Sequence, residues 1–275
     1  MQRFFIILVI FTLSIPGIIL ASNSVDAADI IQQINAGRDV FFENTVIRGN
    51  LDFTSIKEIT IEKQKGNQTT YLCHVRGEVK FVNCQFKDDV IAYRSEKFPN
   101  ELYIPVFYED VLFSGCEING DFAFKYVRFK ANANFDQTIF KGETNFKYTK
   151  FTNKADFSHT RFAEEAEFKY TTFPEFANFE AAHFENDANF KYTKFSQKVN
   201  FKLAVFADDA NFKYTKFPEG VSFENAIFEK SVDFKYTKFS EPVNFTDAQF
   251  DGDVDCKYTT VDGKSFSLHL LKSKK

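Results

Sequence analysis

Tryptophan is absent from this 275-residue chain, and cysteine and histidine occur only four times each. The histidines (His74, His159, His183 and His269) are scattered, and no Cys or His pair has the spacing of a zinc site. Strong charge of either sign is also missing: 34 Lys and Arg face 38 Asp and Glu, a net charge of −4. That balance argues against a chain built to grip nucleic-acid phosphates and is too mild for an acidic nucleic-acid mimic. What is abundant is phenylalanine, 38 residues, more than an average core needs. Its placement must therefore follow a rule.

Only one apolar run is long. Arg3 precedes Phe4 to Leu20, which is apolar apart from Thr12, Ser14, Pro16 and Gly17, and Val25 and Ala27 then stand as small residues at −3 and −1. This order reads as an export signal cleaved after Ala27, with an uncleaved anchor as the rival reading. Either way the rest of the chain is expected outside the cytoplasm, in the envelope or secreted, with no membrane span in the mature part.

The rule for phenylalanine is a 22-residue period. Phe-Lys-Tyr-Thr-Lys-Phe occupies Phe146–Phe151, Phe190–Phe195, Phe212–Phe217 and Phe234–Phe239, with looser copies from Phe124 and Phe168 and a decayed one at Cys256. Halfway between, Phe-x-x-x-x-Phe starts at Phe135, Phe157, Phe179, Phe201, Phe223 and Phe245. Each 11-residue unit divides as five, five and a spacer: Ala188–Tyr192, Thr193–Gln197, Lys198. Phe is central in each five, with a small residue two places earlier, so both point to one side of an extended segment. A spacing of five and six forms no single helical stripe. Repeats of this length build solenoids whose units bury their apolar edges against one another.

The frame resembles the pentapeptide-repeat family, A-(D/N)-(L/F)-x-x, from roughly Val40 to Gly263 and most cleanly from Asp121. The resemblance implies an all-β right-handed quadrilateral β-helix with four fives per coil and a Phe on each face. The spacer after every second five departs from the family by lengthening the coil to 22 residues. At the usual strand spacing the regular part makes a rod of roughly 35 Å.

The expected organisation is a signal at 1–27, a capping helix at 28–38, irregular early coils at 39–120, a regular solenoid at 121–263 and a closing segment with a basic tail at 264–275. Asp29 is read as the N-cap, Ile30, Ile31 and Ile34 as the buried stripe, and Gly37 as the helix stop. Lys57–Lys80, with its Gly66-Asn67 turn, reads as a β-hairpin leaving the coil, and Lys87–Pro105 as a second insertion. At the far end Phe266, Leu268, Leu270 and Leu271 are candidates to cover the last coil.

Cys84 and Cys116 fall in the same small slot of successive coils and are the candidate disulfide, or else two buried small hydrophobes. Cys256 stands in a Phe slot, and Cys73, in the hairpin, is the thiol expected to react. The strongest functional signal is outward. Lys147, Lys169, Lys191, Lys213 and Lys235 stack, as do Tyr148, Tyr170, Tyr192, Tyr214 and Tyr236, with Lys150, Lys194, Lys216 and Lys238 on the adjoining face. Like charges opposite each other on neighbouring strands repel, so the columns suggest cations beside aromatic platforms for an anionic polymer such as an acidic glycan. A solvated face copied by duplication is the plainer alternative. The Thr149–Thr259 column occupies the inward slot. Carboxylates at Glu164-Glu165, Asp208-Asp209, Asp251 and Asp253 lack a repeat calcium loop. Asn67 and Asn244 begin glycosylation sequons.

No position is singled out for catalysis, and no cofactor or metal is expected. The reading is a non-catalytic extracytoplasmic scaffold that binds a protein or an anionic envelope polymer and can pair by its ends or sides. A glycan-active β-helical enzyme is the remaining alternative; it calls for a carboxylate cluster in a groove beside one of the insertions.

Overall fold

The computed structural model describes residues 23–266. In one coil, Ala188–Asn189 lies on face I, Lys194–Phe195 on face II, Val199–Asn200 on face III and Val205–Phe206 on face IV. Ala210–Asn211 then returns to face I, and each pair lies parallel to the one 22 residues on, as in Ala188↔Ala210 and Val205↔Ile227. Faces I to IV carry 9, 12, 9 and 10 strands. This is the expected right-handed quadrilateral β-helix.

The corners explain the Asn or Asp that precedes Phe190, Phe201 and most of their counterparts at the ends of faces I and III. At corner I–II the Asn189 side chain accepts from the Lys191 N–H at 3.1 Å, and the Thr193 N–H donates to the Phe190 carbonyl at 3.0 Å. Tyr192 between them has φ +61°, the i+2 position of a type II turn. Corner III–IV repeats this with Asn200, Lys202 and Leu203, φ +60°. The spacers Lys198 and Asp209 stand at the two remaining corners, where they supply the added length of each turn.

Four phenylalanine columns fill the axis, and from Phe122 to Phe239 every ring but that of Phe176 is buried. Rings stack nearly parallel within a column, as Phe168 does on Phe190 (4.9 Å between centroids, 1°). Between columns they meet edge to face, as Phe179 meets Phe190 (5.3 Å, 90°). Both arrangements suit the ring quadrupole. The small slot is polar where it can be satisfied. Thr193 Oγ1 donates to the Phe168 carbonyl at 2.8 Å, and Thr149, Thr171, Thr215, Thr237 and Thr259 repeat the bond.

The first coils are built from β1 (Asn23–Asp26), α1 (Ala27–Asn35), β2 (Val40–Glu43), β3 (Thr45–Arg48) and β4 (Leu51–Asp52). The N-cap is Asp26, whose side chain accepts from the Ala28 N–H at 2.9 Å, and not Asp29, which lies in the first turn. Ile30, Ile31 and Ile34 are buried over the end of the core as expected, and Gly37 (φ +70°) follows the helix. β1 pairs parallel with β3, Val25 against Ile47. A boundary after Ala27 would thus remove a paired strand together with the helix cap. The remainder of the expected signal lies outside the described residues.

Both insertions are smaller than their sequence breaks. β5 (Ile59–Lys65) and β6 (Gln68–Val75) form the expected hairpin, after which β7 (Val79–Val82), β8 (Gln85–Phe86) and β9 (Val90–Ile91) run regularly through faces III, IV and I. The second insertion contains β10 (Arg94–Glu96), antiparallel to the start of β11 (Glu101–Phe107). β6 and β11 pair along seven residues, so the two insertions merge into a four-stranded wing, β5-β6-β11-β10, that prolongs face II. At the other end Lys264–Ser265 folds back on Thr260–Val261, and Phe266 packs on Phe239 and Phe245. Leu268, Leu270, Leu271 and the basic tail lie outside the described residues.

Candidate interaction face

Corner I–II carries the tyrosines. Tyr126, Tyr148, Tyr170, Tyr192, Tyr214, Tyr236 and Tyr258 form a ladder with successive centroids 4.7–4.8 Å apart. Each has φ between +56° and +64°. The equivalent turn at corner III–IV is made by Gln137, His159, Ala181, Leu203, Asn225 and Asp247. The backbone therefore does not require tyrosine, and the ladder is a property of this corner alone. The stacking corrects the idea of open aromatic platforms: ring faces are spent on neighbouring rings. What remains outward is ring edges and hydroxyls, together with Tyr258 at the end of the ladder, 60% exposed.

The lysines before these tyrosines divide in two. The ammonium groups of Lys147, Lys169, Lys191 and Lys213 stand 5.4–5.9 Å from the centroid of the adjacent tyrosine, alongside the stacked rings. Lys147 also reaches Glu167 at 4.0 Å, and Lys235 pairs with Asp255 at 2.9 Å. Burial pushes the Glu167 carboxyl above its ordinary range.

The second basic column runs along face II. Lys194 is directly opposite Lys216, and Lys216 opposite Lys238, while Lys150 pairs with Thr172. All four lysines are exposed, and among the described residues none of them forms an ion pair. Together the columns border a strip, parallel to the rod axis, whose floor is tyrosine edges. Across face I, corner IV–I is acidic. There the carboxylates of Asp187, Asp208 and Asp209 lie within 4.8 Å of one another, and burial with its two neighbours raises the pKa of Asp187. A net charge near zero thus conceals a rod with one basic and one acidic edge.

The family model for pentapeptide repeats (9 copies) matches residues 105–150, 146–194, 190–238 and 220–260, which together span 105–260, more than half of the chain. The chain belongs to the pentapeptide-repeat family. No curated protein and no solved structure matches it.

Within this pentapeptide-repeat scaffold the cysteines are structural. Cys84 and Cys116 are neighbours in one column, as expected, but both are buried free thiols. Cys84 Sγ donates to the Phe42 carbonyl and Cys116 Sγ to the Phe81 carbonyl, both at 3.4 Å, the bond that Thr160 makes to Phe135 further along the column. The hydrogen bond to Cys84 and burial push the Cys116 thiol up. Cys73 is buried, not reactive; burial raises its pKa to about 11. Cys256 is half-buried in its Phe slot.

Several polar groups beside the wing pair with one another. Glu58 holds Arg76, Glu62 holds Arg128, and Glu101 accepts from the hydroxyls of Tyr71 and Tyr103. His74 lies between Thr60 Oγ1 (2.8 Å) and the Tyr108 hydroxyl (2.9 Å), and burial followed by Arg76 lowers its pKa. Among the described residues the three carboxylates that lie together are Asp187, Asp208 and Asp209, at corner IV–I and not beside the wing. His159 is exposed at corner III–IV, His183 is half-buried on face IV, and His269 lies outside the described residues. The wing escaped sequence reading because its strands come from different coils. The available signal was that both insertions begin after a face I strand.

Proposed function

We propose that this protein is a non-catalytic scaffold of the cell exterior that holds an acidic glycan along corner I–II. The observation that carries this reading is the in-register column Lys150, Lys194, Lys216 and Lys238, exposed and without ion-pair partners. Stacked like charges disfavour the strip, so its sequence is better explained by an anionic occupant than by stability. Tyrosine hydroxyls between the two lysine columns offer donors and acceptors to sugar hydroxyls. Binding would be electrostatic and therefore weakened by salt.

The test is retention of the full chain on an immobilised uronic-acid polymer over a salt gradient. Wild type should elute late, and a variant with Lys150, Lys194, Lys216 and Lys238 changed to Ser should elute near the void. Wild-type flow-through at low salt would sink the reading. Export is part of the proposal and has its own check, N-terminal sequencing of the secreted protein. A first residue at or before Asn23 is expected, because β1 and its Asp26 cap belong to the fold.

A further inference from the structure

The strip along corner I–II is closed at one end. Both insertions leave the rod at this corner, between β4 and β6 and between β9 and β11. One edge of β11 is occupied by β6 throughout its length. On its other edge lie both Arg128–Phe129, at Val106–Phe107, and β10, at Glu101–Tyr103. β10 therefore stands in line with the strip, just beyond the Lys125–Tyr126 turn. Tyr93 ends the tyrosine ladder tilted by 43° against Tyr126. Lys125 Nζ lies between these two rings, 5.0 and 5.2 Å from their centroids. Arg94 lies over the Tyr103 ring at 4.1 Å; its Nε is 3.4 Å from a Glu96 carboxylate oxygen, which leaves the two terminal guanidinium nitrogens to meet a ligand. Tyr103 is held in turn by stacking on Tyr71 and by its bond to Glu101. At the opposite end the ladder stops at Tyr258, which is exposed and has no wall beside it among the described residues.

We infer that Tyr93, Arg94 and Lys125 form a terminal subsite that takes the end of an anionic sugar chain, so that each chain enters the strip by one terminus. This rests on the proposed binding of an acidic glycan. An end residue offers its carboxylate to the Arg94 guanidinium and the Lys125 ammonium, and its ring to the tilted face of Tyr93. Arg94 suits this role because a planar guanidinium remains able to bond an anion while stacked on an aromatic ring. An interior sugar cannot reach the subsite, since its continuing chain would run into β10.

The test uses the full chain and size-fractionated oligogalacturonates from 3 to 20 sugars, with sulfated oligosaccharides of matching lengths as a second arm, followed by titration calorimetry. The expected result is one protein per chain at every length. Arg94→Ala should weaken binding by about tenfold at all lengths, with Arg94→Lys intermediate, and Lys216→Ser only for chains long enough to reach it. The sulfated arm distinguishes a general anion subsite, weakened alike, from one selective for carboxylate. Protein-to-chain ratios that grow with length would overturn the terminal subsite while leaving the strip intact. Unchanged affinity in Arg94→Ala would do the same. No binding of either series by wild type would remove strip and subsite together.

Discussion

Replacing Tyr192 by asparagine sets two effects of similar size against each other. Tyr192 sits at φ +61°, a conformation that disfavours a side chain with a bulky Cβ substituent but that asparagine tolerates. The exchange should recover ~1 kcal/mol of backbone strain. It also removes two parallel stacks, on Tyr170 and Tyr214, each 4.8 Å between centroids. Such pairs contribute about 0.5–1.5 kcal/mol each beyond their burial, hence a loss of roughly 1–3 kcal/mol. Including the lost ring area, Tyr192→Asn should destabilise the protein by about 1–2 kcal/mol. Tyr258 has one stacked neighbour and is largely exposed, so Tyr258→Asn should be close to neutral, within ~0.5 kcal/mol. Tyr192→Ala retains the strain and loses the stacks, and should fall ~1 kcal/mol below Tyr192→Asn. Urea unfolding at constant m-value measures all three. Equal stability of Tyr192→Asn and wild type, or equal effects at positions 192 and 258, would refute the claim that stacking holds these residues in the left-handed region.

Three other outcomes are expected. Phe190→Ala empties a fully buried site in contact with Phe168 and Phe212 of its own column and with Phe179, Phe184 and Phe201 of two others, and should cost about 3–5 kcal/mol, read by the same unfolding assay. Thr193→Val deletes the Oγ1 bond but leaves the Phe168 carbonyl accepting from the Thr171 N–H, so the loss should be only ~1 kcal/mol; Ala182, Ala204 and Ala226 already fill the equivalent slot on another face without a hydroxyl. His74 is disfavoured as the cation in the folded state, so the unfolded chain binds more protons as pH falls through and below 6.5. The hairpin's stability should therefore be fully present above that pH and decline below it, seen as faster amide exchange in β5 and β6 and absent in His74→Gln. A flat profile would place the stabilisation elsewhere.

The 22-residue period was enough to define which residues stack and the inward direction of the repeated phenylalanines and of the Thr149–Thr259 column, because side chains in extended segments alternate and identical residues stack one coil apart; the four faces followed from the resemblance to the pentapeptide-repeat family. The period also placed Cys84 beside Cys116 and aligned the lysine columns, since these are consequences of counting along one chain. Tertiary structure decided what counting cannot reach. Whether a stacked tyrosine presents its face or its edge depends on the turn conformation at corner I–II. Whether Cys73 is exposed depends on the packing of β6 against the core. The N-cap moved from Asp29 to Asp26 because β1 joins a strand more than twenty residues away in sequence. The wing that closes one end of the strip arises because two insertions, unrelated in sequence, leave the same corner of consecutive coils and pair with each other.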